Sequence, residues 1–136
     1  GGVAQICSTL EQFRRIFATV ASPNHAMLFC QGCMTELLGQ GAYDAIAEMA
    51  ANQKIAWVHF RNVRGQLPRF AEVFLDEGDI DMRRAMEIYR DNGFNGPCQF
   101  RMAGQGVCDW LYSLLNSDRL SLKSGSLPSL DLVVAN

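Results

Sequence analysis

The chain has 136 residues, of which 49% are hydrophobic and 19% are charged, and its formal net charge is −2. This length corresponds to one domain with a buried core, and the composition is typical of a globular protein and not of a disordered one. The small net charge argues against nucleic acid and membranes as partners, and with neither a basic leader nor an apolar run of roughly 20 residues the chain is predicted to be cytoplasmic.

The first half of the chain predicts two helices and one strand. Ser8 and Glu11 have the spacing of a capping box, and the apolar residues that follow predict a helix to about residue 21. Residues 26–30 (AMLFC) predict a strand, and residues 42–51 predict a second helix. We expect a loop between them, which contains Gly32, Gly39 and Gly41.

The second half continues the alternation. Residues 55–60 (IAWVHF) predict a strand, and residues 61–78 predict a long irregular loop punctuated by glycine and proline. Asp79 or Asp81 is expected to cap a helix that ends near Gly93, and a short strand is expected between residues 96 and 100. This order predicts an α/β fold with a parallel sheet and right-handed crossovers, which includes a barrel, a doubly wound sheet or a piece of either.

The two strands carry chemically useful residues at their carboxyl ends. Both are apolar on both faces, as in parallel strands covered by helices. Alternation along the second strand places one set of side chains on a single face: Ile55, Trp57, His59 and Arg61. If the strands are neighbours, their ends lie only about 5 Å apart, and Cys30 and His59 could bind one metal ion.

Four segments of the chain resemble the C-terminal part of D-mannonate dehydratases, in the same order and at similar spacing. They are residues 28–32 (LFCQG), 59–65 (HFRNVRG), 74–82 (FLDEGDIDM) and 92–97 (NGFNGP). The resemblance covers residues 2–97. Residues 98–136 lack it, and we interpret them as a divergent tail from a frameshift or gene fusion, within a single domain or barrel fragment that spans residues 1–136.

The resemblance implies part of a (β/α)₈ TIM barrel related to xylose isomerase, about three of its eight units. It also implies a Mn²⁺ or Fe²⁺ ion held by one cysteine, two histidines and an aspartate, of which Cys30 and His59 match two. The other histidine would lie upstream of residue 1, and Cys98 stands where the segment with the aspartate is expected. His25 is no substitute, because it precedes its strand and is predicted to lie at the opposite end of the barrel.

The implied reaction is the dehydration of D-mannonate to 2-keto-3-deoxy-D-gluconate. Arg61, Asn62 and Arg64 match the segment that follows the histidine, and we expect them to bind the sugar acid. A guanidinium can pair with both oxygens of a carboxylate. The alternative of a solvated loop arginine is stronger for Arg64 than for Arg61, since Arg61 shares a face with His59.

Other interpretations stay open at this point. Cys30 and His59 are also compatible with a buried core, and Cys30 with Cys33 has the spacing of a redox pair or half a zinc site. The five irregularly spaced cysteines favour reduced thiols or metal ligands over a disulfide framework. With two of four ligands missing, the chain is either an incomplete dehydratase or a non-catalytic α/β module. Unpaired strand edges predict a homo-oligomer in both cases.

Overall fold

The structure is a computed structural model, and it describes residues 6–100. Helical segments and strand segments alternate along this part of the chain. The helices are α1 (Leu10–Thr19), α2 (Gln31–Leu38), α3 (Ala42–Ala51) and α4 (Met82–Asp91), with a short 3₁₀ turn at Gly39–Gly41. The strands are β1 (Met27–Cys30), β2 (Ile55–Phe60), β3 (Asn62–Gln66), β4 (Arg69–Val73) and β5 (Cys98–Phe100). The divergent tail was predicted for residues 98–136; its first three residues form β5, and the rest of it, residues 101–136, lies outside the described residues.

The central sheet is parallel, as the alternation of helices and strands predicted. Its strand order is β1-β2-β5, with Cys30 paired to His59 and His59 paired to Gln99. The three strands lie in the sheet in the same order as along the chain, with the β3-β4 pair inserted between β2 and β5. Successive β/α units of a barrel also have their strands in chain order. Within residues 6–100 they do not close into a barrel.

Helices cover one face of this sheet and form the core with it. Phe29, Val58 and Phe60 are fully buried on that face. Tyr89 of α4 packs against both phenylalanines, with its ring centroid 6.1 Å from that of Phe29. Burial of each such large apolar side chain stabilises the fold by about 1.5–3 kcal/mol.

In the described part of the chain, no helix is long and apolar enough to cross a membrane.

The opposite face of the sheet is open in the described residues. Leu28 and Trp57 lie on it, with 60% and 40% of their surfaces exposed. The prediction that Ile55 shares this face with Trp57 was wrong, because Ile55 is only 8% exposed and belongs to the core. The register shifts between Met27 and Leu28, and the irregularity breaks the strict alternation on which the prediction rested.

The first half of the chain differs from the prediction at two places. The capping box of α1 is formed by Thr9 and Gln12, one residue later than expected. Residues 31–38 form α2 and not a loop. Gly32 does not break this helix; it allows a close approach, since a Cβ there would lie 2.5 Å from Arg61 Nε.

The predicted irregular loop after β2 is largely an antiparallel hairpin. Strands β3 and β4 pair from Asn62↔Val73 to Gln66↔Arg69 and turn at Leu67–Pro68. The glycine and proline that were expected to interrupt regular structure are part of the hairpin: Gly65 has a φ of 85°, and Pro68 lies in the turn. Asp81, one of the two expected caps, begins α4, with its carboxylate accepting from the Arg83 and Arg84 N–H groups.

Candidate metal and substrate site

Cys30 and His59 lie side by side at the carboxyl ends of β1 and β2, as the sequence predicted for neighbouring strands. The register pairs the two residues directly, and Cys30 Sγ lies 3.5 Å from His59 Nδ1. His59 Nε2 is buried and has no hydrogen-bond partner among residues 6–100. The two side chains therefore place a sulfur and two ring nitrogens next to one another, at the adjacent carboxyl ends of β1 and β2.

The separation of the two side chains fits two ligands of one ion. With Zn–S of about 2.3 Å and Zn–N of about 2.1 Å, tetrahedral ligands lie roughly 3.6 Å apart. Residues 6–100 contain no group of three His, Cys, Asp or Glu side chains that could hold a metal. His25 precedes β1 and its Nδ1 contacts Val20 O at 3.2 Å. The described residues thus bring together the two side chains that the sequence named as candidate ligands, Cys30 and His59.

Arg61 follows β2 directly and is the charged centre of the site. Its Nε donates to Cys30 Sγ at 3.4 Å, and its Nη2 contacts Cys33 Sγ at 3.6 Å. The same guanidinium forms ion pairs with Glu36 and, at 3.1 Å, with Glu72. The Arg61 side chain is only 11% exposed. Arg61 therefore joins α2, the hairpin and the strand ends through groups of the chain itself.

These contacts set the ionisation of the two thiols. The pKa of Cys30 falls to about 4, because Cys33 and then Arg61 donate hydrogen bonds to its sulfur and outweigh the effect of burial. The pKa of Cys33 is raised well above its usual value by the hydrogen bond to Cys30 and by burial. Burial lowers the pKa of Arg61, but its contacts with both sulfurs and Glu36 outweigh this and keep it above the usual value. These contacts therefore favour the thiolate at Cys30 and the thiol at Cys33.

Asn62 is fully buried beneath the site. Its amide nitrogen donates to Leu75 O at 2.7 Å and Ile80 O at 2.8 Å. Its oxygen accepts from the N–H groups of Val63 and Ile80. The side chain thus fixes the loop between β4 and α4, and its role in binding substrate stays a prediction.

Arg64 lies on the hairpin and is exposed, with one hydrogen bond of 2.7 Å from Nη2 to Glu77 O.

The aspartates of the segment at residues 74–82 make local contacts. Asp81 caps α4, and Asp79 accepts a hydrogen bond from the Gly65 N–H at 2.7 Å. The Asp81 contacts confirm the expectation that Asp79 or Asp81 caps the helix.

Sequence reasoning missed Glu36 and Glu72 as partners of Arg61. Glu36 went unnoticed because α2 was predicted as a loop; on a helix, Cys33 and Glu36 are three residues apart and share a face. Glu72 went unnoticed because the hairpin was not predicted. Recognising either element would have placed a carboxylate beside the arginine.

Parallel strands that alternate with helices, with Cys30 and His59 at the carboxyl ends of two neighbouring strands, define an α/β protein with a candidate site at that edge of the sheet. The model of the D-mannonate dehydratase (UxuA) family matches residues 1–109. The chain belongs to this family. The match extends past Pro97, where the segments recognised in the sequence end.

Individual relatives agree with the family. Mannonate dehydratases from Lactococcus lactis subsp. lactis and subsp. cremoris are 29% and 27% identical to the chain, each over 70% of it. The chain spans 28% of the length of each relative. The crystal structure of mannonate dehydratase from Streptococcus suis serotype 2 has a TM-score of 0.60 and 20% identity, covering 67% of this chain and 27% of that one. This likeness shows that the described fold is part of a mannonate dehydratase fold.

Proposed function

We propose that this chain supplies part of the active site of a metal-dependent dehydratase that converts D-mannonate to 2-keto-3-deoxy-D-gluconate. Cys30 and His59 are its ligands for Mn²⁺ or Fe²⁺. The observation that carries this proposal is the 3.5 Å contact between Cys30 Sγ and His59 Nδ1 at adjacent strand ends, in a chain of this family. A bound divalent ion would polarise substrate oxygens and offset the negative charge that develops on them.

The neighbouring residues divide the remaining tasks. The guanidinium of Arg61 is already ion-paired with Glu36 and Glu72. Its main role is therefore to hold the Cys30 sulfur in place through its hydrogen bond. Arg64 is exposed and has a single side-chain hydrogen bond to a carbonyl, so it is free to turn toward a sugar-acid carboxylate. Asn62 supports both arginines by fixing the loop behind them.

The site is completed by residues outside 6–100, either from a longer polypeptide or from a second copy of the chain. The exposed faces of Leu28 and Trp57 support this proposal, because apolar side chains on a sheet are normally covered. Homo-oligomer formation is part of the proposal. Sedimentation equilibrium of the purified protein, beside a Trp57→Lys variant, tests it: a monomer at all concentrations contradicts assembly of the chain with itself.

Metal binding is tested with Co²⁺, whose thiolate charge-transfer absorption reports a cysteine ligand directly. We expect the band in the wild-type protein and its loss in Cys30→Ser. His59→Ala should weaken Co²⁺ binding by about 10-fold or more. Cys98→Ser is the matched control, because Cys98 lies on β5 and is not a proposed ligand. An unchanged band in Cys30→Ser would overturn the assignment.

Activity is tested separately, by product formation from D-mannonate with Mn²⁺ in wild type and Cys30→Ala. Turnover that Cys30→Ala abolishes supports the dehydratase, and excludes a contaminating host enzyme. A second candidate is a non-catalytic α/β module, favoured by the lack of any three-ligand group within residues 6–100. Metal binding without turnover at any protein concentration would support this second candidate.

A further inference from the structure

Cys33 has no part in the proposed metal site, yet its sulfur contacts the same guanidinium, that of Arg61, as the sulfur of Cys30 does. Cys30 is the N-cap residue of α2, and Cys33 follows three residues later in the first turn of that helix. Arg61 contacts both sulfurs, at 3.4 Å through Nε and at 3.6 Å through Nη2. Binding of a metal ion by Cys30 does not require this second thiol.

The arrangement has the parts that thiol–disulfide exchange requires. A cysteine at a helix N-terminus beside a guanidinium favours the thiolate, which is the nucleophile. A second thiol three residues on is within reach to resolve the mixed disulfide that forms first. Cys33 is exposed, and the Cys30 side chain is partly buried beside it.

We propose that Cys30 and Cys33 form a redox-active pair, which a small-molecule disulfide of the glutathione class oxidises to an intramolecular disulfide. The Cys30 thiolate attacks one sulfur of the oxidant and expels one thiolate. The Cys33 sulfur then attacks Cys30 Sγ, loses its proton and expels the second thiolate. Two electrons pass from the cysteine sulfurs to the oxidant, which leaves as two thiols or thiolates.

Oxidation also takes Cys30 away from the metal, a consequence that rests on the proposed function. A sulfur in a disulfide is no longer a thiolate, and the thiolate is the metal ligand. The site would then bind a metal only in its reduced form. Formation of the pair itself needs no metal, so the two statements are tested separately.

The pair is tested on metal-free protein held in glutathione buffers of increasing oxidation, followed by alkylation and peptide mapping. We expect one disulfide that links Cys30 to Cys33, reversed by reduced glutathione. Cys33→Ser should instead accumulate a glutathione adduct on Cys30, because the resolving thiol is gone. Cys98→Ser should behave as wild type, since Cys98 is partly buried on β5 and this burial raises its pKa to about 12.

Two results would overturn the pair: no disulfide between Cys30 and Cys33 in any buffer, or stable adducts on both cysteines in the wild type.

The effect of the metal is tested by adding Mn²⁺ before oxidation, which should slow disulfide formation by about 10-fold. A disulfide that forms at the same rate with and without Mn²⁺ keeps the redox pair and rejects Cys30 as a metal ligand. Failure of the pair and failure of the proposed function are thus distinguishable.

Discussion

The side chain of Asn62 binds both backbone polar groups of Ile80, its C=O and its N–H. Asn62 Nδ2 donates to Ile80 O at 2.8 Å, and the Ile80 N–H donates to Asn62 Oδ1 at 3.4 Å. Asn62 directly follows Arg61 in the chain, so this contact ties the segment before α4 to the position of the guanidinium. A buried amide with both its ends bonded acts as a fixed support for the site.

Replacement of Asn62 by alanine tests this support. Asn62→Ala leaves the carbonyls of Leu75 and Ile80 buried without the donor they have now, which should lower the free energy of unfolding by about 3 kcal/mol. Urea unfolding measures the loss. Asn52→Ala is the matched control, because Asn52 is exposed and donates only to Glu48 O; it should change stability by less than about 0.5 kcal/mol. Equal effects in the two variants would contradict the supporting role.

Gly78 packs directly against the Asn62 side chain. A Cβ at position 78 would lie 2.2 Å from Asn62 Cγ, so Gly78→Ala must displace the amide and should lower stability by about 1–3 kcal/mol. Gly41→Ala is the control, since its nearest neighbour would be Leu38 Cβ at 3.5 Å and its φ of −64° suits alanine. In thermal unfolding, Gly78→Ala should therefore lower the midpoint temperature more than Gly41→Ala does. Additive losses in the double variant Asn62→Ala/Gly78→Ala would contradict a shared cause.

Sequence patterns were sufficient where local signals and burial agree. The strand at residues 55–60 and the helix at residues 42–51 were predicted with the bounds that the structure has. The juxtaposition of Cys30 and His59 followed from two parallel strands that end at the same edge. These features depend on runs of apolar residues, which a single sequence displays directly.

The patterns failed where tertiary contacts decide the local structure. Gly32 suggested a loop, but it is a helical glycine that makes room for the side chain of Arg61, which directly follows the strand β2. The hairpin at residues 62–73 was hidden because Gly65 and Pro68 are also typical of irregular loops. The partners of Arg61 lie on these two elements, so the missed elements also concealed the ion pairs of the site.

The ion pair between Glu36 and Arg61 is predicted to contribute to stability because both groups are largely removed from water. Their side chains are 9% and 11% exposed. Glu36→Gln keeps the shape but removes the charge, and Glu72 still faces the guanidinium, so we expect a loss of about 2 kcal/mol in urea unfolding. Glu87→Gln is the control, because its 3.7 Å pair with Arg83 is exposed and should contribute less than about 0.5 kcal/mol. Similar losses in both variants would show that burial adds nothing to the Arg61 pair.

The depressed pKa of Cys30 predicts how the stability of the metal-free protein depends on pH. The pKa is about 4 in the folded chain, against an ordinary value of 9.0, so between these values the unfolded chain binds more protons. Stability from this thiolate is therefore complete above pH 9.0 and is lost as the pH falls toward 4. Cys33 has the opposite shift, so its contribution is present below its ordinary value of 9.0 and is lost at higher pH.

Urea unfolding between about pH 6 and pH 8 lies within this window, where Cys30 is the member of the thiol pair whose contribution changes with pH. The free energy of unfolding should rise with pH in the wild type, and the rise should be smaller in Cys30→Ser. Cys98→Ser should retain the wild-type slope, because burial raises the pKa of Cys98 and its thiol stays protonated over this range. A slope in Cys30→Ser equal to that of the wild type would show that Cys30 is not held as a thiolate by Cys33 and Arg61.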